Sequence, residues 1–382
     1  MSVITSAERH AARYERRVQK RQANRLAYNT PYDNYETITD RNHLLQAAYM
    51  SRKGTGKKAS VQRYMMNLMR NTSVSATKLE HYQNVRQGFI EFDLCERGKK
   101  RHIKAMHFNE RVIQRCLCDY ALVPVLKRPL VYDNGASMRG KGIHFALFRL
   151  RDMLRRYIRK HGTNGYILLV DFSGYFDNIQ HAPIKDLIQH SFNSDGIRWL
   201  VWQFVKAFGD KSLGIGSQVS QILAVAYANR VDHFIKEVYR IGMSARYMDD
   251  SYIICGDKNT LRKLLADCKK MWADLGICIN ERKTQIVSIK HFTFMKVRFR
   301  ITDTGKVLML PCRASFTRMR RKLRKFAAFI ANGAMNMEQV NTSYQSWYGY
   351  QNHFNAYSSL RRMDSYFYKL FNAWPNHGKR RR

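Results

Sequence analysis

Residues 245–254 carry the sequence ARYMDDSYII, in which two adjacent aspartates stand between two short apolar stretches. Apolar residues on both sides favour two strands, and the acids then fall at the tight turn between them. A lone Tyr-x-Asp-Asp pattern is weak evidence, because so short a motif recurs by chance and a solvated acidic hairpin has the same sequence. What this turn does therefore depends on its partners elsewhere in the chain.

A second stretch, GYILLVD at residues 165–171, predicts a buried strand that ends in Asp171. Acids at the ends of buried strands are unfavourable unless a cation compensates their charge. Mg²⁺ prefers oxygen ligands, and two such ions about 3.5–4 Å apart can hold the attacking and leaving oxygens of an in-line phosphoryl transfer. Asp171, Asp249 and Asp250 therefore predict a nucleotidyl-transfer site with two Mg²⁺ ions, which Mn²⁺ can replace.

The chain is strongly basic, with 67 Lys and Arg against 29 Asp and Glu in 382 residues and a formal net charge of +38. Such an excess causes self-repulsion in the folded state, and a DNA or RNA backbone relieves it with release of counterions. The alternative is an incidental basic surface of the kind some ribosomal proteins have. A hydrophobic content of 45% suffices for a folded core and excludes a disordered chain.

The seven cysteines are scattered and form no paired Cys-x-x-Cys units, which argues against zinc and indicates reduced thiols in a cytoplasmic protein. No apolar run approaches about 18 residues, and the N-terminus lacks the apolar core of a signal peptide. We therefore expect no membrane partner.

Local patterns predict the other elements. Residues 313–332 repeat apolar side chains every three or four positions with Arg and Lys between them, which predicts a helix with one core face and one basic face. Residues 7–28 predict a basic helix that either is solvated or contacts RNA or a partner. The remaining predictions are a hairpin at 88–107, helices at 110–122 (ended near Pro124), 197–208 and 220–238, and a helix up to Leu275 followed by short strands up to Ile301.

Blocks around the three aspartates resemble the motifs of reverse transcriptases and occur in the same order. They are DFSGYFDNI at 171–179 for motif A, GSQVSQ at 216–221 with YAN at 227–229 and Asp232 for motif B, YMDD at 247–250 for motif C, and GICINERKT at 276–284 for motif D. Earlier in the chain, KKR at 99–101, RVIQ at 111–114 and MRGKG at 138–142 resemble the fingers blocks of bacterial reverse transcriptases. The resemblance covers about residues 95–300.

This resemblance implies an α+β fold of the right-hand polymerase type, with fingers, a palm of antiparallel sheet plus helices, and a helical thumb. It implies a basic N-terminal extension and start of the fingers at 1–94, fingers at 95–164, a palm with the primer-grip hairpin at 165–302, and a basic thumb and tail at 303–382. The implied function is RNA-directed DNA polymerase, which makes cDNA on a template RNA from deoxynucleoside triphosphates.

The resemblance also implies roles for the site residues. Asp171, Asp249 and Asp250 would hold the two metal ions together with the backbone carbonyl of Phe172. Lys283 would approach the leaving pyrophosphate, unless it is only a surface lysine. The expected nucleotide contacts are Lys100, Arg101, Arg139, Phe172, Phe176, Ile215 and Gln221.

The resemblance implies more specific roles for Phe176, Arg101 and Arg139. Phe176 matches the aromatic gate whose ring clashes with a ribose 2′-hydroxyl and so selects deoxynucleotides; an ordinary core phenylalanine is the alternative. Arg101 would clamp the triphosphate, because a planar guanidinium suits phosphate oxygens. For Arg139, a contact with the template backbone is the alternative.

The thumb would follow the backbone of the nucleic-acid duplex. The expected contacts are Arg318, Arg321, Lys322, Arg324 and Lys325. Trp347, Tyr348 and Tyr350 either stack on bases or, as we expect, pack between thumb helices.

Ile215-Gly216 and Ser220-Gln221 stand where most reverse transcriptases have Gln-Gly and Ser-Pro. This form is similar to that of diversity-generating retroelement reverse transcriptases, which copy a template RNA with errors at adenines. A glutamine next to the nascent base pair adds polar contacts that Ile215 lacks, so we expect looser discrimination. The resemblance then implies a bacterial or phage-encoded protein with a small basic accessory protein as partner.

Two other functions remain open. One is an antiphage-defence reverse transcriptase that works with a non-coding RNA. The other is a structural RNA-binding protein derived from a polymerase, against which the three intact acids argue. In the primer grip, this chain has Phe294-Met295-Lys296 where reverse transcriptases usually have Phe-Leu-Gly. We therefore expect its contacts with the primer to differ from theirs.

Overall fold

A computed structural model describes residues 5–96 and 99–377, without the side chains of Glu96, Lys99 and Arg101. The helices are α1 (Ser6–Asn29), α2 (Glu36–Thr39), α3 (Arg41–Arg52), α4 (Ala59–Met66), α5 (Leu68–Glu80), α6 (Phe108–Leu117), α7 (Val123–Lys127), α8 (Ile143–His161), α9 (Tyr175–Asn178), α10 (His181–Ser191), α11 (Asp195–Lys206), α12 (Gln218–Tyr227), α13 (Asn229–Glu237), α14 (Lys258–Asp274), α15 (Arg313–Ala331), α16 (Met337–Gln351) and α17 (Tyr357–Phe371). The strands are β1 (Phe89–Glu96), β2 (Lys99–Met106), β3 (Tyr166–Asp171), β4 (Ser244–Tyr247), β5 (Asp250–Cys255), β6 (Gln285–Ser288), β7 (His291–Phe294), β8 (Val297–Ile301) and β9 (Val307–Pro311).

The central sheet has the strand order β4-β5-β3-β6, and all its neighbouring strands are antiparallel. Side chains alternate between its two faces, so that Ile167 and Leu169 enter one core while Leu168 and Val170 enter another. Both faces of β3 are thus covered, which explains why its sequence is apolar without alternation. The predicted α+β class, with helices around antiparallel sheets, is confirmed.

Among the described residues, buried apolar side chains gather into three cores. The first joins α2–α7 to α9–α14 against one face of the central sheet. The second lies between α8, the other face of that sheet and the antiparallel sheet β7-β8-β9. The third joins α15, α16 and α17. The predicted division of the chain at residues 94, 164 and 302 stays a prediction.

Most predicted elements are present, including the hairpin of β1 and β2 and the basic helices α1 and α15. The prediction that a helix ends near Pro124 is wrong. A π-helical turn at Cys118–Leu122 links α6 to α7, and Pro124 lies in the first turn of α7, where a missing N–H leaves no hydrogen bond unmade.

One further prediction needs correction, and one strand was not predicted. The single helix predicted over residues 220–238 is divided into α12 and α13, because Ala228 leaves helical geometry with φ −87° and ψ 5°. β9 was not predicted, since a short apolar run does not distinguish a strand from a helix until its partner, β8, is known. Within the described ranges, none of the helices combines the length and the apolar character needed to cross a bilayer.

Candidate active site

The three aspartates of the predicted site lie at one end of β3 and β5. Asp171 is the last residue of β3 and pairs with Asp250, the first residue of β5. Asp249 belongs to the two-residue turn between β4 and β5, and its carbonyl oxygen accepts a hydrogen bond of 3.3 Å from the Phe172 N–H. Such hairpin turns require positive φ, which Met248 adopts at +54°. Antiparallel pairing thus brings together acids that lie far apart in sequence.

The acidic cluster carries more negative charge than its surroundings compensate. Burial, followed by the negative charges of Asp249 and Asp171, raises the pKa of Asp250 from 3.8 to about 7. In the described part of the chain, no group of three or more Asp, Glu, His or Cys side chains is gathered closely enough to form a finished metal site. The oxygen donors and the raised pKa fit divalent cations at this place, because such ions would supply the missing positive charge.

Lys283 lies beside Asp171, a contact that the sequence did not predict. Its Nζ donates hydrogen bonds of 3.1 and 2.9 Å to the Oδ1 and Oδ2 atoms of Asp171, and this interaction is the main cause of the raised pKa of Lys283. The preceding segment is anchored to β3, since the Asn280 N–H donates a hydrogen bond of 2.8 Å to the Asp171 carbonyl. The lysine side chain is 57% exposed, so it is free to turn toward a phosphate. Its role at the pyrophosphate stays a prediction.

An open cavity of about 610 Å³ lies beside the aspartates. Eight of the predicted site residues line it: Lys100, Asp171, Phe172, Phe176, Ile215, Gln221, Asp249 and Lys283. Asp250 lines a neighbouring cavity of about 660 Å³, together with Lys296 and Arg318. The β1-β2 hairpin, the β4-β5 hairpin, the motif B loop and the motif D segment therefore all contribute residues to one cavity next to the acids.

The two phenylalanines of motif A are placed differently. Phe172 is buried, and its ring packs edge-on against Trp272 with the centroids 5.2 Å apart. Its side chain therefore belongs to the core, and its backbone is the part available to a ligand. Phe176 is half-buried on the cavity wall, where its ring packs against Tyr175. This place suits a gate beside the sugar, although that role stays a prediction.

The motif B loop is held against the β1-β2 hairpin. Gly216 has φ +117°, and a Cβ atom there would lie 3.0 Å from the Lys104 carbonyl oxygen, so glycine is required for this approach. On the other side, the buried Gln114 accepts hydrogen bonds from Ser217 Oγ at 3.1 Å and from the Gln218 N–H at 2.9 Å. Ile215, directly before these anchors, is 42% exposed and lines the cavity.

Other predicted contacts are not gathered at the cavity. Arg139 is exposed and does not line it. The backbone of Arg101 pairs with Leu94 in the hairpin, and its side chain lies outside the described residues. The predicted thumb contacts are all exposed on α15: Arg318, Arg321, Lys322, Arg324 and Lys325. Within the thumb, Lys322 donates a hydrogen bond of 2.7 Å to Ser343.

Of the three aromatic residues of α16 named in the sequence analysis, Trp347 and Tyr348 pack against the thumb core, as expected. Tyr350 packs against the second core instead. Trp347 meets Phe316 edge-on at 5.0 Å, and its Nε1–H donates a hydrogen bond of 3.0 Å to Ser315. Tyr350 packs against Phe354 at 5.2 Å between ring centroids. Packing between thumb helices therefore accounts for Trp347.

Sequence reasoning missed two buried polar groups behind the site. One is Gln114, described above. The other is an ion pair in which Arg246 Nη2 lies 2.7 Å from Asp232 Oδ2, with only 3% of Arg246 exposed. A charged residue within the predicted strand, two positions before the turn, was the available signal.

The sequence pattern of the family described as reverse transcriptase (RNA-dependent DNA polymerase) matches residues 93–314. The chain belongs to the reverse transcriptase family. Members of this family are nucleotidyltransferases that use divalent metal ions, which agrees with the predicted enzyme class. The match includes the three aspartates and every residue that lines the cavity beside them.

Solved structures similar to this reverse transcriptase include telomerases from two Candida species. The telomerase of Candida albicans, in complex with a TWJ fragment of telomeric RNA, has 13% identity and a TM-score of 0.48 over 82% of this chain and 66% of that chain. The apo telomerase of Candida tropicalis has 12% identity and a TM-score of 0.47 over 74% and 60%. The same apo enzyme truncated from its C-terminal domain has 15% identity and a TM-score of 0.42 over 58% and 54%. The chain therefore spans between 54% and 66% of these telomerase chains, and a search of curated proteins found no match.

Proposed function

We propose that this chain copies RNA into DNA at the cavity beside Asp171, Asp249 and Asp250. The observation that carries the proposal is the meeting of Asp171 and Asp249 with Lys100, Lys283 and Phe176 around one open space. Asp250 lines the neighbouring cavity and pairs with Asp171 across the sheet. The three carboxylates would hold two Mg²⁺ ions, or Mn²⁺ in their place, with the Phe172 carbonyl as a further ligand. When bound, the ions would lower the pKa of the primer 3′-hydroxyl and neutralise charge on the phosphates of the incoming nucleotide.

The side chains around the cavity would then divide the remaining tasks. Lys100 and Lys283 offer positive charge to the triphosphate, and Lys283 would move from Asp171 to the pyrophosphate as negative charge develops there. Phe176 would exclude a ribose 2′-hydroxyl. Arg101 and Arg139 remain proposed phosphate or template contacts, and the exposed basic residues of α15 would follow the duplex backbone.

Primer extension tests this function directly. We expect the chain to extend a DNA primer on an RNA template with deoxynucleotides and Mg²⁺. Asp249→Ala should lower the rate by about 100- to 1000-fold. Asp303→Asn, in an exposed turn, is a matched control that should retain the rate. Extension by Asp249→Ala at the wild-type rate would contradict the proposal. RNA binding without any extension by the wild type would favour a structural RNA-binding protein.

We further propose error-prone copying, as in a diversity-generating retroelement. Ile215 supports this, because it presents an apolar and 42% exposed side chain to the cavity where a glutamine would offer polar contacts to the nascent base pair. Ile215→Gln should reduce misincorporation at template adenines, and Ile215→Leu should retain it. An unchanged error spectrum in Ile215→Gln, read by sequencing of the cDNA, would remove the support that Ile215 provides.

The RNA partner decides between diversification and defence. Sequencing the nucleic acid that co-purifies with the protein should recover a template RNA and its mutated cDNA. Recovery of a structured non-coding RNA without adenine-directed errors would favour the defence function. In the bacterial or phage-infected cytoplasm that we propose as its location, a small basic accessory protein would complete the diversification system.

A further inference from the structure

The Arg246 side chain is buried directly behind the acidic turn. Its Nε–H donates to both carboxylate oxygens of Asp232 at 3.0 and 2.9 Å, and its Nη2 reaches Asp232 Oδ2 at 2.7 Å. Arg246 is 3% exposed and Asp232 is 9% exposed. The pair therefore joins β4 to α13 inside the protein, out of reach of any substrate.

The same guanidinium makes two contacts besides the ion pair. Its Nη2 donates a hydrogen bond of 2.8 Å to the Val225 carbonyl on α12, and its Nη1 donates one of 3.3 Å to the Met248 carbonyl in the turn. Only a planar group with several fixed donors can reach a carboxylate and two carbonyls at once. A lysine ammonium at this position lacks that geometry.

The Met248 carbonyl that accepts from Arg246 belongs to the peptide that leads into Asp249. Met248 has φ +54°, a conformation that L residues other than Asn, Asp and Gly adopt rarely. The peptide between Met248 and Asp249 rotates about Met248 ψ and Asp249 φ, so its rotation would redirect the Asp249 side chain. The hydrogen bond from Arg246 to the Met248 carbonyl opposes that rotation.

We propose that Arg246, held in place by Asp232, is a positioning residue that fixes the peptide between Met248 and Asp249 and so directs the Asp249 carboxylate into the active site. Arg246 acts through the turn and touches no reacting atom. This inference rests on the proposed function, because it takes Asp249 as a metal ligand. A buried ion pair is by itself a weak source of stability, since its desolvation cost offsets most of the attraction, so a purely structural role explains the arrangement less well.

The backbone around Arg246 allows the side chain to be tested alone. The Gly135 N–H donates a hydrogen bond of 2.9 Å to the Arg246 carbonyl, and the Arg246 N–H donates one of 3.3 Å to the Asp133 carbonyl. These bonds, together with the pairing of β4 with β5, do not involve the guanidinium. A change of side chain at position 246 should therefore leave β4 in its sheet.

Arg246→Lys in the full chain is the main test, with steady-state primer extension as the assay. We expect kcat to fall about 10- to 100-fold, the cost of a small misplacement of a catalytic group, while KM for the deoxynucleotide changes less than about twofold. The Mg²⁺ concentration for half-maximal rate should rise, because the Asp249 ligand is no longer held in place. Asp232→Asn should show the same pattern, since it weakens the anchor of Arg246.

Arg86→Lys is the matched control for a buried ion pair elsewhere. Arg86 Nε lies 2.8 Å from Glu110 Oε2, and the two side chains are 11% and 0% exposed. This control should lower the melting temperature without changing the Mg²⁺ dependence.

The outcomes separate the two proposals. If Asp249→Ala is inactive but Arg246→Lys has the kcat and Mg²⁺ dependence of the wild type, the positioning role is overturned and the proposed function stands. The positioning role is also overturned, and the proposed function stands, if Arg246→Lys and Arg86→Lys change kcat and the Mg²⁺ dependence equally. If Asp249→Ala is fully active, the proposed function itself fails. Should Arg246→Lys not fold, the Mg²⁺ dependence of Asp232→Asn decides, and a wild-type value overturns the role.

Discussion

Asp250→Asn isolates the electrostatic cost of the acidic cluster. Asparagine has nearly the same shape as aspartate but no charge, and burial with Asp249 and Asp171 nearby makes the charged form of Asp250 unfavourable. We expect the variant to be more stable than the wild type at pH above 7 without divalent ions. We also expect it to polymerise poorly, because a metal ligand is lost. Stability and activity should thus change in opposite directions.

The magnitude follows from the two pKa values of Asp250. The carboxyl has its ordinary pKa of 3.8 in the unfolded chain and a pKa of about 7 in the folded protein. Below about pH 4 both states are protonated, and this group costs the fold nothing. As the pH rises toward 7 the unfolded chain releases the proton first, so the free energy of unfolding falls by about 1.4 kcal/mol per pH unit. The total loss is about 4 kcal/mol, and it persists above pH 7.

Urea unfolding in EDTA, measured from about pH 5 to about pH 8, provides the test. The wild type should lose stability relative to Asp250→Asn across this range, while the exposed control Asp303→Asn should follow the wild type. Saturating Mg²⁺ should restore part of the loss, since a ligand that binds the folded state stabilises it. A difference between Asp250→Asn and the wild type that stays constant with pH would refute this reasoning.

Three further predictions concern the cavity and the thumb. Phe176→Val should lower the preference for deoxynucleotides over ribonucleotides at least about tenfold in kcat/KM, and an unchanged ratio would make Phe176 an ordinary core residue. Gly216→Ala should lower the free energy of unfolding by about 1–3 kcal/mol and raise KM for the nucleotide, because it combines φ +117° with a contact of 3.0 Å to the Lys104 carbonyl oxygen. The control Gly140→Ala, at φ +75° with no atom near its Cβ, should lower stability without changing KM. Arg321→Gln and Lys325→Gln should each lower the slope of log affinity for duplex against log salt concentration by about one. An unchanged slope would show that the substituted residue does not contact the duplex backbone.

Short motifs were enough to identify the three acids of the proposed site. Asp171 at the end of an apolar run and the Asp249-Asp250 pair between two strands were identified from local sequence, and β3, β4 and β5 place them together. Periodicity likewise predicted α15, whose buried residues Phe316, Met319, Leu323 and Phe326 recur every three or four positions. These features are local, because each depends on residues within a few positions of one another.

Features that depend on distant partners were beyond the sequence. The strand β9 is defined by its pairing with β8, and Pro124 is tolerated because a π-helical turn precedes it. Ile215 was identified, but the contacts that hold its loop, from Gln114 and from the backbone of Lys104, come from far earlier in the chain. Spacing along one segment carries no record of which other segment packs against it.

The sequence by itself determined the family, the three acids and the basic character that suits a nucleic-acid partner, because composition and short motifs record them directly. Only the tertiary structure decided that Asp250 is buried enough to raise its pKa to about 7. It also decided that Lys283 donates a hydrogen bond to Asp171, and that Arg246, paired with Asp232, contacts the Met248 carbonyl in the turn. Burial, a raised pKa and a buried ion pair all arise from distances between separate segments, and the folding of the central sheet sets those distances.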